Sequence, residues 1–128
     1  MNLLIDTHVF IWWDSLADQM SEWSRKLVSD ASNTIYLNMA SLWEIQIKHH
    51  LGKLEIRKLI DEIVREQQQN GVLLLPIRLE HIIALDSIGE YHKDPFDRLL
   101  IAQAKHEQLT VVTRDKAFHH YGVPVLWK

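Results

Sequence analysis

His92-Lys93-Asp94-Pro95-Phe96-Asp97-Arg98-Leu99-Leu100-Ile101-Ala102-Gln103-Ala104 runs from a dense polar opening straight into an apolar helical pattern. Pro95 suits a first turn, because its ring presets φ and its missing N–H has no intrahelical partner there; Asp94 then becomes the N-cap and Asp97 falls at N3. Leu100, Ile101 and Ala104 recur at helical spacing, so they press the helix on a core and fix the Asp97 carboxylate on a rigid element. Capping alone accounts for both acids, since Asp94 and Asp97 resemble a capping box with Asp in the place usual for Glu or Gln. The choice between cap and chemistry rests on the rest of the chain.

Working outward, short β-forming runs alternate with helical patterns. Leu3 to Ile5 reads as a strand closed by Asp6, with Thr7, His8 and a helix over Val9 to Trp13 behind it. Asp18 to Asp30 reads as a second helix with Met20, Trp23 and Leu27 on one side. Thr34 to Leu37 is a second strand, bounded by Asn33 and Asn38. The next helix starts either at Ser41, which forms a capping box with Glu44, or nearer Met39; both put Glu44 close to its start, and Gly52 ends the pattern. Ile56 to Gln69 reads as a helix with Leu59, Ile60 and Ile63 as its stripe, Val72 to Leu75 as a strand closed by Pro76, and Leu79 to Ile88 as a helix closed by Gly89. Beyond the opening stretch, Leu109 to Thr113 is a strand that leads into Arg114 and Asp115. Ala117, Phe118 and Tyr121 suggest a short helix or turn, and Val123 to Trp127 an edge strand, because Pro124 lacks the N–H that a central ladder needs. This alternation predicts a three-layer α/β/α sandwich with a mostly parallel central sheet and right-handed crossovers.

The totals bound the function. A chain of 128 residues, 47% hydrophobic and 24% charged, fits one domain spanning 1–128 with a core of its own. Zero cysteines exclude a disulfide framework, a thiolate zinc site and a cysteine nucleophile, which suits a cytoplasmic location. The apolar run Leu3 to Trp13 lacks a basic leader, is broken by Asp6 and His8, and is too short for a bilayer, so no membrane partner is expected. A net charge of −3 argues against binding nucleic acid through bulk positive field, while leaving room for acids gathered in one site around metal ions.

Four acids then stand out. Asp6 and Asp115 close strands; Glu44 and Asp97 open helices. In a doubly wound sheet these positions lie at one end of the molecule, where ligands bind. Each acid has a structural excuse of its own, but four carboxylates in one crevice repel unless something positive sits among them. Hard divalent cations are the natural partner, Mg²⁺ or Mn²⁺ with carboxylate and water oxygens, and such an ion activates water and stabilises a leaving phosphate oxygen.

The ordered set Leu3 to His8, Ser41 to Lys48 with Gly52-Lys53, Asp94 to Ala104 and Val111 to Asp115 resembles the PIN-domain ribonucleases, and most closely VapC-like toxins of type II toxin–antitoxin modules. The resemblance implies that Asp6, Glu44, Asp97 and Asp115 are catalytic acids holding Mg²⁺ or Mn²⁺, with Asp115 in the more variable fourth position. It makes Asp94 a cap or supporting group, lets Thr7 or Thr113 orient a carboxylate or water, and lets Arg98 pair with an acid or touch a phosphate. It further implies an endoribonuclease that cleaves single-stranded or loop RNA by metal-activated water, a homodimer, and a cognate antitoxin whose tail enters the acidic groove.

The basic stretch Lys48, His49, His50, Lys53, Arg57 and Lys58 reads as a solvated face, or as an RNA-contacting patch through Lys48 and Lys53. The histidines have no spacing that compels zinc, and surface or polar-support roles suit them better. The five tryptophans read as core or dimer-surface groups, with base stacking the lesser option. A phosphatase-like hydrolase with Asp6 as nucleophile wants a second Asp two positions on, where this chain has His8. A catalytically silent PIN-like module binding RNA or protein stands as the alternative of another class.

Overall fold

The computed structural model describes residues 1–128 and contains five strands in one parallel sheet of order β3-β2-β1-β4-β5. The strands are β1 (Asn2–Ile5), β2 (Thr34–Asn38), β3 (Leu73–Leu75), β4 (Thr110–Val112) and β5 (Val125–Leu126). Six α-helices join them: α1 (Thr7–Ser15), α2 (Glu22–Ser29), α3 (Met39–His50), α4 (Ile60–Gln69), α5 (Leu79–Ala84) and α6 (Pro95–Glu107). Short 3₁₀ turns occupy Ala17–Gln19, Leu85–Ser87 and Lys116–Tyr121.

β1 is the centre of the sheet, and its sequence says why. Leu3, Leu4 and Ile5 are all fully buried, as expected of a parallel strand covered on both faces. Leu3 and Ile5 point to one side, into a core shared with Ile35 and Leu37 of β2, Val9 and Phe10 of α1, Ile45 of α3 and Ile63 of α4. Leu4 points to the other, with Val111 of β4, Leu100, Ile101 and Ala104 of α6, and Phe118 and Tyr121. The alternation along β1 thus separates two hydrophobic layers, one under α1 to α4 and one under α5 and α6. The expected three-layer α/β/α sandwich is the observed fold.

Topology places the crevice. β1 pairs β2 on one side and β4 on the other, with Ile5 opposite both Leu37 and Val112. The chain builds outward through β2 and β3, then returns over the opposite face to place β4 against β1. The strand order therefore reverses between β1 and β4, and their carboxyl ends open a cleft at that switch point. No helix is long and apolar enough to cross a membrane.

Several element boundaries differ from the sequence pattern, each for a local reason. The helix expected over Asp18 to Asp30 is split, because Ser21 adopts extended geometry and its hydroxyl accepts the Ser24 N–H at 3.1 Å, starting α2 afresh. α3 begins at Met39 under an Asn38 cap, so Ser41 lies inside the helix rather than ahead of it. The helix expected from Ile56 begins only at Ile60. Upstream, Arg57 is drawn to Asp14 at 2.8 Å and to Glu66 at 3.1 Å, while Leu59 caps α4 and stays 65% exposed rather than joining the stripe. The helix expected over Leu79 to Ile88 is α5 tightening into the Leu85–Ser87 turn. The last strand is confined to Val125 and Leu126, at the sheet edge as Pro124 implied.

Candidate metal centre

Asp6 leaves β1 directly into α1. Its Oδ1 accepts the Val9 N–H at 2.8 Å as the N-cap, and its Oδ2 accepts the Thr113 hydroxyl from the end of β4. Capping and site position are therefore the same fact for this residue. Burial pushes its carboxyl above the ordinary range, with the hydrogen bonds from Thr113 and Val9 opposing.

Asp115 follows β4 and caps the Lys116–Tyr121 turn, its Oδ1 accepting the Ala117 N–H at 2.9 Å. Its Oδ2 lies 2.8 Å from His92 Nε2, whose other ring nitrogen is 2.8 Å from the Tyr121 hydroxyl. Burial raises the Asp115 carboxyl, but the His92 and Ala117 hydrogen bonds outweigh it and hold the group low. Thr113 joins the two acids, since its hydroxyl donates to Asp6 and accepts the Asp115 N–H at 3.1 Å.

Asp97 stands on the first turn of α6, beneath the Asp94 cap that accepts the N–H groups of Phe96 at 2.7 Å and Asp97 at 3.4 Å. No hydrogen-bond donor reaches its carboxylate, which distinguishes it from the other three acids. Burial raises its pKa to about 7, the charges of Asp94, Glu44 and Asp6 add to the rise, and His92 opposes it.

Glu44, in the second turn of α3, is buried and fully occupied. Thr7 donates to its Oε1 at 2.8 Å and Lys48, one turn on, pairs with its Oε2 at 2.8 Å. Ser41 adds a hydroxyl 2.9 Å from Thr7. Thr7 and Thr113 thus each donate a hydroxyl hydrogen bond to an acid, Glu44 and Asp6 respectively. Arg98 turns the other way: its guanidinium donates to the carbonyls of Gly89 at 3.0 Å and Leu85 at 3.4 Å, bracing the loop before α6 instead of pairing with an acid. Lys53 is exposed in the segment after α3.

Asp6, Asp97 and Asp115 line one cleft of about 270 Å³ together with His8, Trp12, Arg114 and Phe118. Glu44 is not among the lining residues, but it is near enough to Asp97 for its charge to be felt. Single ligand atoms from His92, Asp97 and Asp115 lie within 4.8 Å of one another, a spacing one ion can bridge. The donor set is hard oxygen on rigid element ends, with one carboxyl raised to about 7 by burial and by the neighbouring acids; a divalent cation of the Mg²⁺ or Mn²⁺ kind fits it. His92 is the residue whose part at this site exceeds the sequence reading. Its place five residues before Asp97 was visible, but its partners, Asp115 and Tyr121, come from distant chain.

A parallel α/β/α sandwich with an acidic cleft at the β1/β4 switch point is an architecture shared by proteins of many functions. The match to the PIN domain over residues 3–124 is more specific, and this chain belongs to that family. Comparison with curated proteins gives no match. Among solved structures, a chain of VapBC2 from Rickettsia felis, bound to a DNA fragment from its promoter, superposes with a TM-score of 0.75 at 14% identity over 100% of both chains. FitAcB from Neisseria gonorrhoeae gives 0.62 at 22% identity over 97% of this chain and 96% of that one. A toxin–antitoxin complex from Klebsiella pneumoniae gives 0.64 at 15% over 97% and 95%.

Proposed function

We propose that this protein is a divalent-metal-dependent endoribonuclease, the toxin of a toxin–antitoxin pair. The observation that carries the reading is the convergence of Asp6, Asp97 and Asp115 on one cleft, with the Asp97 carboxyl displaced to about 7. Asp6, Asp97 and Asp115 are the residues that would hold Mg²⁺ or Mn²⁺, and Glu44 completes the acidic set. When bound, such an ion acts as a Lewis acid toward phosphoryl oxygen and acidifies a water. The chain's own residues do the positioning: Thr113 fixes Asp6, His92 fixes Asp115, Thr7 and Lys48 hold Glu44, and Asp94 keeps Asp97 at the helix start. Water attacks phosphorus, the ribose oxygen leaves, and no covalent enzyme intermediate forms. Lys48 and Lys53, on the same basic stretch, contact substrate phosphates.

The substrate is single-stranded or loop RNA, whose unstacked nucleotides enter a cleft of this size. The partner is a cognate antitoxin, a role supported by the VapBC2 structure and by the Klebsiella pneumoniae toxin–antitoxin complex. A homodimer and a cytoplasmic location belong to the same proposal. Purified protein should cut RNA with Mg²⁺ or Mn²⁺ and stop with EDTA. RNA left intact with both metals, or an Asp97→Asn variant that folds and cuts at the wild-type rate, would overturn it. Co-expression with the product of a small adjacent reading frame should relieve growth arrest.

A further inference from the structure

The wall of the cleft that faces the acids contains a built aromatic and cationic stack that metal binding does not use. Trp12, half-buried on α1, packs against Trp127 with ring centroids 5.9 Å apart. The Arg114 guanidinium lies over the Trp12 ring, 4.5 Å from its centroid, and the exposed His8 ring stands 6.1 Å from the same tryptophan. His8, Trp12 and Arg114 all line the cleft that Asp6, Asp97 and Asp115 line.

Two chemical facts narrow what this wall suits. A guanidinium lying over indole forms no pair with Asp115, its chain neighbour, although carboxylates line the same cleft; cation–π attraction holds it at the ring. A planar cation fixed in that way offers a second flat surface, the kind on which unpaired nucleobases stack. The tilted packing of Trp127 against Trp12 gives the platform rigidity, so little rotamer freedom remains to be lost on binding.

We propose that His8, Trp12 and Arg114 form a nucleobase subsite, stacking one unpaired base of the strand next to the phosphate addressed by the acids. The subsite rests on the nuclease reading for its substrate and adds where a neighbouring base is held. Arg114 supplies the stacking plane, Trp12 the support beneath it, and His8 the edge. Because every base has a π-face, this subsite gives affinity and register with weak base preference.

A comparison of adenosine 5′-monophosphate with ribose 5-phosphate in Mg²⁺ tests it, since the two share a phosphate and differ in the base. Titrations followed by ¹H–¹⁵N NMR at the Trp12 indole and Arg114 Nε–H should saturate with the nucleotide and give at least about fivefold tighter binding than the sugar phosphate, the lower end of one stacking contact. Arg114→Lys, which keeps the charge and loses the plane, should erase that difference while phosphate binding persists. Equal binding of the two probes, nucleotide shifts confined to other tryptophans, or an intact difference in Arg114→Lys would each overturn the subsite. RNA cleavage measured in parallel separates the two readings. Cleavage without base discrimination removes the subsite alone; discrimination without cleavage in Mg²⁺ or Mn²⁺ removes the nuclease and leaves a nucleotide-binding cleft.

Discussion

Helix α6 has a histidine–carboxylate pair at each end, and the two have opposite characters. At its C-terminal half, His81 from α5 is wholly buried, with Nε2 2.9 Å from Glu107 and Nδ1 accepting the Arg78 N–H at 3.0 Å. Gln103 approaches the same Nδ1 at 3.3 Å while donating to the Pro76 carbonyl at 3.2 Å. Both nitrogens are committed and the tautomer is fixed by a backbone N–H, so the pair locks α5 to α6. At the N-terminal half, His92 meets Asp115 at 2.8 Å on the cleft side, but its other nitrogen faces the Tyr121 hydroxyl, which can donate or accept. One pair is a rivet; the other is an adjustable support for a carboxylate of the cleft. The lesson is that a short His–carboxylate distance says little until the partner of the second nitrogen is known.

Substitutions should pull these two ends apart. The largest effect is expected at the cleft end: Asp97→Asn should lower RNA cleavage at least about a thousandfold, as loss of several kcal/mol of metal-centred stabilisation requires, while raising the thermal midpoint of the metal-free protein by removing a repelled charge. Unfolding of this variant without metal would mean that the fold itself needs the Asp97 carboxylate, against the ligand assignment. At the rivet end, His81→Ala leaves a cavity and strips Glu107 of its partner, so urea unfolding should record a loss of about 2–4 kcal/mol, with cleavage per folded molecule unchanged. His92→Ala should invert that pattern. Metal affinity measured by calorimetry should drop about 10- to 100-fold, the usual effect of removing a ligand's support, while stability moves by less than in His81→Ala.

The smallest effect is a slope with pH. Because the folded Asp97 pKa of about 7 lies above the ordinary aspartate value of 3.8, its contribution to stability is present in full below the lower value and lost as pH rises through the higher one. Metal-free protein should therefore gain stability on acidification from pH 8 to 6, and Asp97→Asn should flatten that gain. If wild type and variant share the same slope, the displaced carboxyl belongs elsewhere.

Much of this was legible in the sequence, for identifiable reasons. Leu3 to Ile5 and Val111 to Val112 are continuous apolar runs, and an acid just past each announces the carboxyl edge of a parallel sheet. Asp94-Pro95 marks a helix start through φ and a side-chain oxygen, both local properties. What was hidden was non-local. Ile56 to Leu59 carries a helical apolar pattern, yet Asp14 and Glu66 capture Arg57 and Lys58, and no window around that segment contains Asp14. Arg98 reads as a free cation near acids until the loop carbonyls of Leu85 and Gly89 are folded over it. His92 and the Arg114–Trp12 stack depend on partners from other elements, which spacing along the chain cannot reveal.

The pairing of β1 with β4 has a consequence for the order of events during synthesis. Leu3 waits for Thr110 as its partner, so the first strand made is among the last to be enclosed on both sides. Asp6 is therefore exported from the ribosome long before Thr113, Asp97 and Asp115 exist to complete its surroundings. A chain with this connectivity acquires its cleft only once β4 is in place.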